Sequence, residues 1–180
     1  RGLRGATILK APHGTGKTVK VMGPLMREAD NGASMIVHRV TLANQMANEL
    51  DLLHYKNLLD GWVVNDTKFV TVVNSMTQQK FQGFFEQAEL LCGDEFTQVL
   101  RHVMGGRDAI HAPVRAYNKL ITAARAAKKV LLADADANDS LIEFLQQARP
   151  GQMINVIEVV SPAVDLTVKY CDNVEFVFHK

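Results

Sequence analysis

The chain has 180 residues, of which 47% are hydrophobic and 22% are charged, and its formal net charge at pH 7 is +1. This composition is ordinary for one well-buried core, and the near-zero charge argues against nucleic-acid binding through overall attraction. Such binding would need a local basic patch. No run approaches the roughly 18 apolar residues of a membrane span, and no basic and apolar leader opens the chain. Together with two isolated cysteines, Cys92 and Cys171, this predicts a cytoplasmic protein that does not enter a membrane.

Strand and helix patterns alternate in chain order as far as residue 150. Short apolar or β-branched runs predict strands, and apolar residues at helical spacing predict the helices between them. This rhythm is typical of an α/β fold with a mainly parallel sheet and helices on both faces. The predicted strands cover residues 6–9, 33–37, 68–73, 88–93 and 130–133, and the predicted helices cover residues 16–26, 40–53, 77–85, 96–104, 114–128 and 140–148.

The pattern changes after residue 152. Three strand-like runs, 154–160, 165–170 and 174–178, follow one another with no helix between them. The polar residues 171–173 would turn the last two runs into a hairpin. We therefore expect a domain over residues 1–152 and a short β-rich extension over residues 153–180.

Residues 11–18, with the sequence APHGTGKT, fit the pattern of a phosphate-binding loop between a strand and a helix. Glycines at two loop positions let backbone amides point at phosphates, where the positive end of the helix also favours an anion. The pattern predicts a bound nucleoside triphosphate, with Lys17 at the β- and γ-phosphates and Thr18 as a ligand of Mg²⁺. The residues expected to touch ATP are His13, through its backbone, with Gly14, Thr15, Gly16, Lys17 and Thr18.

Acidic residues follow two later strands. Asp94 is a candidate Mg²⁺ ligand, and the adjacent Glu95 is a candidate base that orients the attacking water. Asp134 and Asp136 close the next strand and should face the same crevice, because ligands of open α/β sheets bind at the carboxyl ends of strands. These two acids either sense the γ-phosphate and pass on its state, or a residue such as Asp136 simply caps the following helix.

Five segments together resemble the first motor domain of superfamily 2 helicases. Their variants of motifs Ia and II, His-Arg-x-x-Leu-Ala and Asp-Glu-x-x-Gln-Val-Leu-Arg, are most similar to those of herpesvirus-type replication origin-binding helicases and their phage and plasmid relatives. The resemblance spans residues 6 to 150. The segments are residues 11–18 (motif I), 38–43 (Ia), 74–76 (Ib or Ic), 94–101 (II) and 133–136 (III).

The resemblance implies a three-layer RecA-like P-loop domain that uses ATP and Mg²⁺ to move along nucleic acid, DNA rather than RNA. It implies that Arg39 and Ser75 contact the phosphates of the strand. It also places the strand before Asp134 between the phosphate-loop strand and the Asp94 strand. A second motor domain that supplies an arginine finger is the expected partner within the full-length protein, and for a phage protein the expected location is the host cytoplasm.

Residues 101–129 contain seven Lys or Arg and one acid, a local charge of +6. Arg115 and Lys119 lie four residues apart on one predicted helix face, where like charges repel unless an anion lies nearby. This face is a candidate contact for a nucleic-acid backbone, with a merely solvated surface as the alternative. The histidines at positions 38, 54, 102 and 111 show no metal-ligand spacing, and we interpret them as structural or surface residues.

Three functions fit these patterns. The first is the ATPase domain of a DNA helicase or translocase, with DNA replication of phage, plasmid or viral type as its setting. The second is an ATP- or DNA-binding module that hydrolyses nothing without its second lobe. The third is another P-loop enzyme, either a terminase-type motor or a nucleotide kinase, and a kinase would need an arginine-bearing lid, for which residues 107–115 are the candidate.

Overall fold

The structure is a computed structural model that describes residues 5–59, 67–105, 112–135, 139–159, 167–170 and 177–178. Its strands and helices alternate as the sequence predicts, and three short 3₁₀ turns and one π-helical turn complete it. The strands are β1 Gly5–Lys10, β2 Ala33–Val37, β3 Leu53–His54, β4 Lys68–Val72, β5 Leu90–Gly93, β6 Lys129–Asp134, β7 Ile154–Val159, β8 Thr167–Tyr170 and β9 Val177–Phe178. The helices are α1 Gly23–Glu28, α2 Val40–Leu50, α3 Phe84–Gln87, α4 Phe96–Met104, α5 Pro113–Ala126 and α6 Asp139–Ala148.

All the described strands belong to one sheet with the order β3-β4-β2-β5-β6-β1-β7-β8-β9. The strands from β3 to β7 in this order pair in parallel, and β8 and β9 pair antiparallel at the far edge. Strand β6 lies between β1 and β5, as the resemblance implies. The register sets Lys10 beside Asp134 and Gly93 beside Leu132, so the carboxyl ends of these three strands meet at one edge.

The helices form two groups. The crossovers that carry α1 and α2 move along the sheet in one direction, towards β4, and the later ones move back towards β7. Because crossovers between parallel strands are right-handed, this reversal places the two groups on opposite faces of the sheet. Contacts agree: α4, α5 and α6 touch one another and α3 touches α5. The α/β fold with three layers is therefore confirmed.

Apolar side chains fill both sides of the sheet. Every residue of β2 is buried, as expected of a central parallel strand. On one side Phe96 of α4 packs against Phe144 of α6, with ring centroids 5.2 Å apart. Around Phe69 of β4 gather three more rings, those of Phe81, Phe84 and Phe85. This packing fixes the helices that follow β4 and β5, and with them the loops at the carboxyl edge.

Three predicted helices differ from the structure. The helix predicted over 77–85 is wrong, since Gln78 has extended backbone and Gly83 has a φ of +72°, which leaves only short turns and the four-residue α3. The helix predicted to reach residue 53 ends at Leu50, because Asp51 adopts the left-handed conformation. The first helix begins as a π-helical turn, Thr18–Met22, before it continues as α1.

The region after residue 152 contains the three predicted strands. Strand β7 extends the parallel sheet beside β1, and β8 and β9 pair as the arms of the predicted hairpin do. The turn predicted at residues 171–173 lies outside the described residues, as does residue 62, the only tryptophan. The division of the chain at residues 152 and 153 stays a prediction. Within the described part of the chain, no helix is both long and apolar enough to cross a bilayer.

Candidate nucleotide and nucleic-acid sites

The loop after β1 is held by its own backbone and by the neighbouring strand. The amide of Ala11 donates to the carbonyl of Asp134 over 3.0 Å, and the hydroxyl of Thr15 donates to the carbonyl of Pro12 over 2.8 Å. Gly14 and Gly16 have φ values of +79° and +76°, in the left-handed region that L side chains rarely adopt. The two glycines therefore bend the chain from the strand into the helical turn, as a phosphate-binding loop requires.

Lys17 is a mostly buried lysine for which no described residue supplies a partner. The residue is 8% exposed, and its ammonium makes no hydrogen bond or ion pair with any described residue. A lysine covered to this extent and without a counter-charge among the described residues fits a site that an anionic ligand completes. The residues present thus fit a phosphate group at this loop.

Thr18 and Asp94 meet although 76 residues separate them. The hydroxyl of Thr18 donates to Oδ2 of Asp94 over 2.7 Å, and Asp94 is 5% exposed. A hydroxyl and a carboxylate are oxygen ligands of the kind that Mg²⁺ takes when phosphates and water supply the rest of its shell. Among the described residues no cluster of three or more acidic, histidine or cysteine side chains could hold a metal alone. The pair therefore fits a Mg²⁺ that arrives with a nucleotide.

Glu95 has a fixed backbone and a loosely held side chain. Its φ of +47° is rare for a residue other than glycine, and its amide donates to Oδ1 of Asp94 over 2.9 Å. Such a backbone costs of the order of 1 kcal/mol and persists where its surroundings impose it, often at functional sites. Its carbonyl starts α4 by accepting from the amide of Gln98 over 2.8 Å. The carboxylate makes no hydrogen bond with any described residue, and Nδ1 of His38 lies 3.9 Å from Oε2.

Gly93 makes room for the turn into α4. A Cβ at this position would lie 2.2 Å from the ring of Phe96 and 3.2 Å from Leu132. A larger residue would push Phe96 away from Phe144 and displace the two acids that lie between positions 93 and 96. Sequence reasoning missed this role of Gly93, for which the signal is its place between an apolar strand and two acids.

Asp134 ties the next strand to the same helix. Its Oδ2 accepts from the amide of Thr97 in the first turn of α4, over 2.8 Å, and the residue is 8% exposed. Asp134 thus satisfies an amide at the start of α4, where a negative charge also complements the helix dipole. The coupling role predicted for Asp134 stays a prediction, and Asp136 lies outside the described residues.

The predicted contacts to a nucleic-acid strand differ in exposure. Arg39 is exposed at the start of α2, next to the end of β2. Ser75 is 6% exposed, so little of it is accessible to a strand. The neighbouring Asn74 is exposed, and its Oδ1 lies 2.9 Å from Nε2 of His102 on α4. Their roles in nucleic-acid binding remain predictions.

Arg115 and Lys119 of α5 line a polar groove of about 560 Å³ against the segment that follows β4. Arg115 is exposed and has no ion-pair partner among the described residues. Nζ of Lys119 lies 2.9 Å from Oε1 of Glu86, an anion close to this helix face, and the contact of Lys119 with nucleic acid stays a prediction. The predicted kinase lid falls mainly on residues outside the described ranges. The other polar residues that line the groove are Thr77, Gln78, Gln79, Gln82, Asn118 and Thr122.

Several solved structures share this fold. The chain is similar to a DEAD box protein from Methanococcus jannaschii (TM-score 0.58, 18% identity, 89% of this chain and 47% of that chain). It is also similar to the UvsW helicase of bacteriophage T4 (TM-score 0.55, 15% identity, 85% and 54%) and to the Hef helicase domain of Pyrococcus furiosus (TM-score 0.53, 16% identity, 88% and 36%). The fold is RecA-like. At these identities the similarity concerns the fold alone.

Sequence comparison adds little. No protein-family model matches the chain. An uncharacterized protein of Picosynechococcus sp. is 25% identical over 154 residues, which are 80% of this chain and 15% of that protein. The chain thus spans about half or less of the length of the proteins to which it is similar.

Proposed function

We propose that this chain is the ATP-binding and ATP-hydrolysing motor domain of a helicase or translocase that acts on nucleic acid. The observation that carries the proposal is the 2.7 Å contact between Thr18 and Asp94, with Glu95 directly beside it. This contact joins the end of the phosphate-binding loop to the acid pair after β5. A loop that only bound phosphate would not need the buried carboxylate of Asp94 against Thr18, nor the second carboxylate of Glu95 next to it.

Each side chain has a role in the hydrolysis of the γ-phosphate by water. Lys17 neutralises phosphate oxygens, and Thr18 and Asp94 would hold Mg²⁺, which when bound offsets the charge that develops on the phosphates. Glu95 accepts a hydrogen bond from the attacking water and orients it in line with the bond that breaks. The loop and Asp94 are held by hydrogen bonds within the chain, so this part of the site is organised before the nucleotide arrives.

We further propose that the nucleic acid is DNA, bound along the carboxyl edge of the sheet. Arg39 and the groove with Arg115 support binding at this edge, because an exposed guanidinium that no described residue pairs with suits phosphate, and the amide side chains of the groove suit bases. Lys119 would contribute after it leaves Glu86, and Asp134 would relay the nucleotide state to α4. The setting in phage, plasmid or viral-type DNA replication, in the cytoplasm, and a second motor domain as partner rest on the resemblance of the motifs.

The test is ATP hydrolysis by the full-length protein that contains this chain, without nucleic acid and with single-stranded DNA or RNA of equal length. We expect Mg²⁺-dependent hydrolysis that DNA stimulates several-fold and RNA stimulates less. Absence of hydrolysis under all these conditions would contradict the proposal. Transfer of the phosphoryl group to a nucleoside monophosphate would instead indicate a nucleotide kinase.

A further inference from the structure

His38 and Glu95 leave the sheet side by side. Strand β2 ends at Val37 and pairs in parallel with β5, which ends at Gly93, with Ile36 beside Gly93 in the register. His38 is therefore the first residue after one strand, and Glu95 is the second after its neighbour. The two side chains reach the same edge, with Nδ1 of the ring 3.9 Å from Oε2 of the carboxylate.

The ring of His38 carries an unsatisfied nitrogen. Its side chain is 9% exposed, and Nδ1 is buried without a hydrogen-bond partner. Burial lowers the pKa of His38, against the attraction of Glu95, so the neutral ring with one N–H prevails near pH 7. A buried nitrogen without a partner destabilises the folded chain, and an apolar ring of the same shape would avoid this. The histidine therefore costs stability in this state of the protein.

The carboxylate of Glu95 has no hydrogen-bond donor among the described residues, and Nδ1–H of His38 could supply one. The backbone of Glu95 is fixed, but its side chain is about one-third exposed and makes no hydrogen bond with any described residue. The separation of 3.9 Å exceeds the roughly 3.2 Å of an N–H···O hydrogen bond by less than 1 Å. A small rotation of the Glu95 side chain closes this gap. A base that orients water must itself be held in place, since small displacements lower the rate greatly.

We propose that His38 is a positioning residue for Glu95, whose carboxylate accepts a hydrogen bond from Nδ1–H of His38 when the site binds nucleotide. The inference rests on the proposed function, because it assigns Glu95 the role of base. His38 itself touches neither the nucleotide nor the water. It acts only by restricting the carboxylate to the orientation in which water is activated.

Two amide substitutions test which ring nitrogen matters. In His38→Asn the amide nitrogen takes the place of Nδ1, and in His38→Gln it takes the place of Nε2. We expect His38→Asn to keep kcat within about 3-fold of the wild type, and His38→Gln to lower kcat about 10- to 100-fold, the range for one hydrogen bond to a charged group. KM for ATP should stay within about 2-fold in both variants, because neither changes a nucleotide contact. All rates are measured with the full-length protein at saturating single-stranded DNA.

A second histidine serves as the matched control. His54 on β3 is also partly buried, burial lowers its pKa too, and its Nε2 has no partner among the described residues, but β3 lies three strand positions from β5. His54→Gln should change the melting temperature and leave kcat unchanged. In the background of Glu95→Gln, His38→Gln should lower the residual rate less than 2-fold further, because its effect passes through the carboxylate.

The outcomes separate the two proposals. If the wild type hydrolyses ATP and His38→Gln has the same kcat as the wild type, the inference about His38 is overturned and the proposed function stands. Equal losses in His38→Asn and His38→Gln also overturn it, since they would show a requirement for the ring and not for Nδ1. A wild-type protein that hydrolyses no ATP overturns both.

Discussion

Each end of the sheet covers a cationic side chain, and only the one at the amino end has hydrogen-bond partners among the described residues. At the amino end, Arg149 is 7% exposed and donates to the carbonyls of Ala124 and Ala127 over 2.8 and 2.7 Å, and to Oε1 of Gln152 over 2.7 Å. At the carboxyl end, Lys17 is 8% exposed and bonds to no described residue. Both are charged and both are covered, so burial alone does not separate structure from function.

The difference lies in what satisfies the charge. Arg149 caps the last turn of α5, where unpaired carbonyls and the negative end of the helix dipole favour a cation. Its interactions are complete without a ligand, and it therefore stabilises the fold. Lys17 stands at a helix start, where the dipole disfavours a cation and favours an anion. It becomes favourable only when an anion arrives, and its burial therefore indicates a binding site.

Replacing Lys17 should abolish the function of the carboxyl end of the sheet without destabilising the fold, and we expect this to be the largest effect. We expect Lys17→Ala to weaken ATP binding roughly 100-fold or more and to abolish hydrolysis, since it removes a charged contact to phosphate. The melting temperature without nucleotide should change little, because no described residue loses a hydrogen bond or an ion pair with Lys17. Nucleotide titration and thermal unfolding measure the two effects. Lys56→Ala, at an exposed position near β3, is the control and should change neither.

Replacing Arg149 should destabilise the fold at the amino end of the sheet and leave nucleotide binding at the carboxyl end unchanged. Arg149→Met leaves the carbonyls of α5 without their donor, and we expect a loss of about 2–4 kcal/mol in the free energy of unfolding. The folded fraction should bind ATP as the wild type does. Arg125→Met is the matched control, because Arg125 also donates to a carbonyl, that of Ala148, but is exposed and should contribute less than about 1 kcal/mol. Denaturant unfolding and nucleotide titration measure the two effects in both variants. A loss of ATP affinity in folded Arg149→Met as large as its loss of stability would show that the two ends of the sheet are not independent.

Replacing Arg115 should have the smallest effect and extends the comparison to the exposed groove. We expect Arg115→Ala to weaken DNA binding about 3- to 10-fold and to reduce the slope of log affinity against log salt by about 1, as the loss of one phosphate contact does. Lys128→Ala, an exposed residue of the same basic stretch at the opposite edge, should change neither. DNA binding is measured at several salt concentrations. Identical salt dependence of Arg115→Ala and Lys128→Ala would show that Arg115 does not contact the DNA.

The parts of the site that depend on local spacing could be predicted from the sequence. The loop over residues 11–18 and the acids Asp94 and Asp134 lie where the sequence places them, because each stands at the carboxyl end of an apolar strand. The direct contact between Thr18 and Asp94 depends on β6 lying between β1 and β5. That strand order followed from the resemblance to a family and not from periodicity.

What the sequence could not predict depends on pairs of residues far apart in the chain. His38 was interpreted as structural or surface, and its place beside Glu95 follows only from β2 pairing with β5. The ion pair of Lys119 likewise depends on Glu86, which lies 33 residues earlier in the chain. The broken helix over 77–85 has a left-handed backbone at Gly83, and the rings of Phe81, Phe84 and Phe85 pack around Phe69 of β4, a residue that lies outside this segment.

The most direct test of the central claim is the comparison of Glu95→Gln with the wild type in one preparation, measuring both nucleotide binding and hydrolysis. Glutamine keeps the shape of glutamate but cannot accept a proton from water. We expect ATP affinity within about 2-fold of the wild type and a kcat lowered about 100-fold or more, the contribution expected of a positioned base. A Glu95→Gln protein that hydrolyses ATP at the wild-type rate would contradict the assignment of this edge as a hydrolytic site.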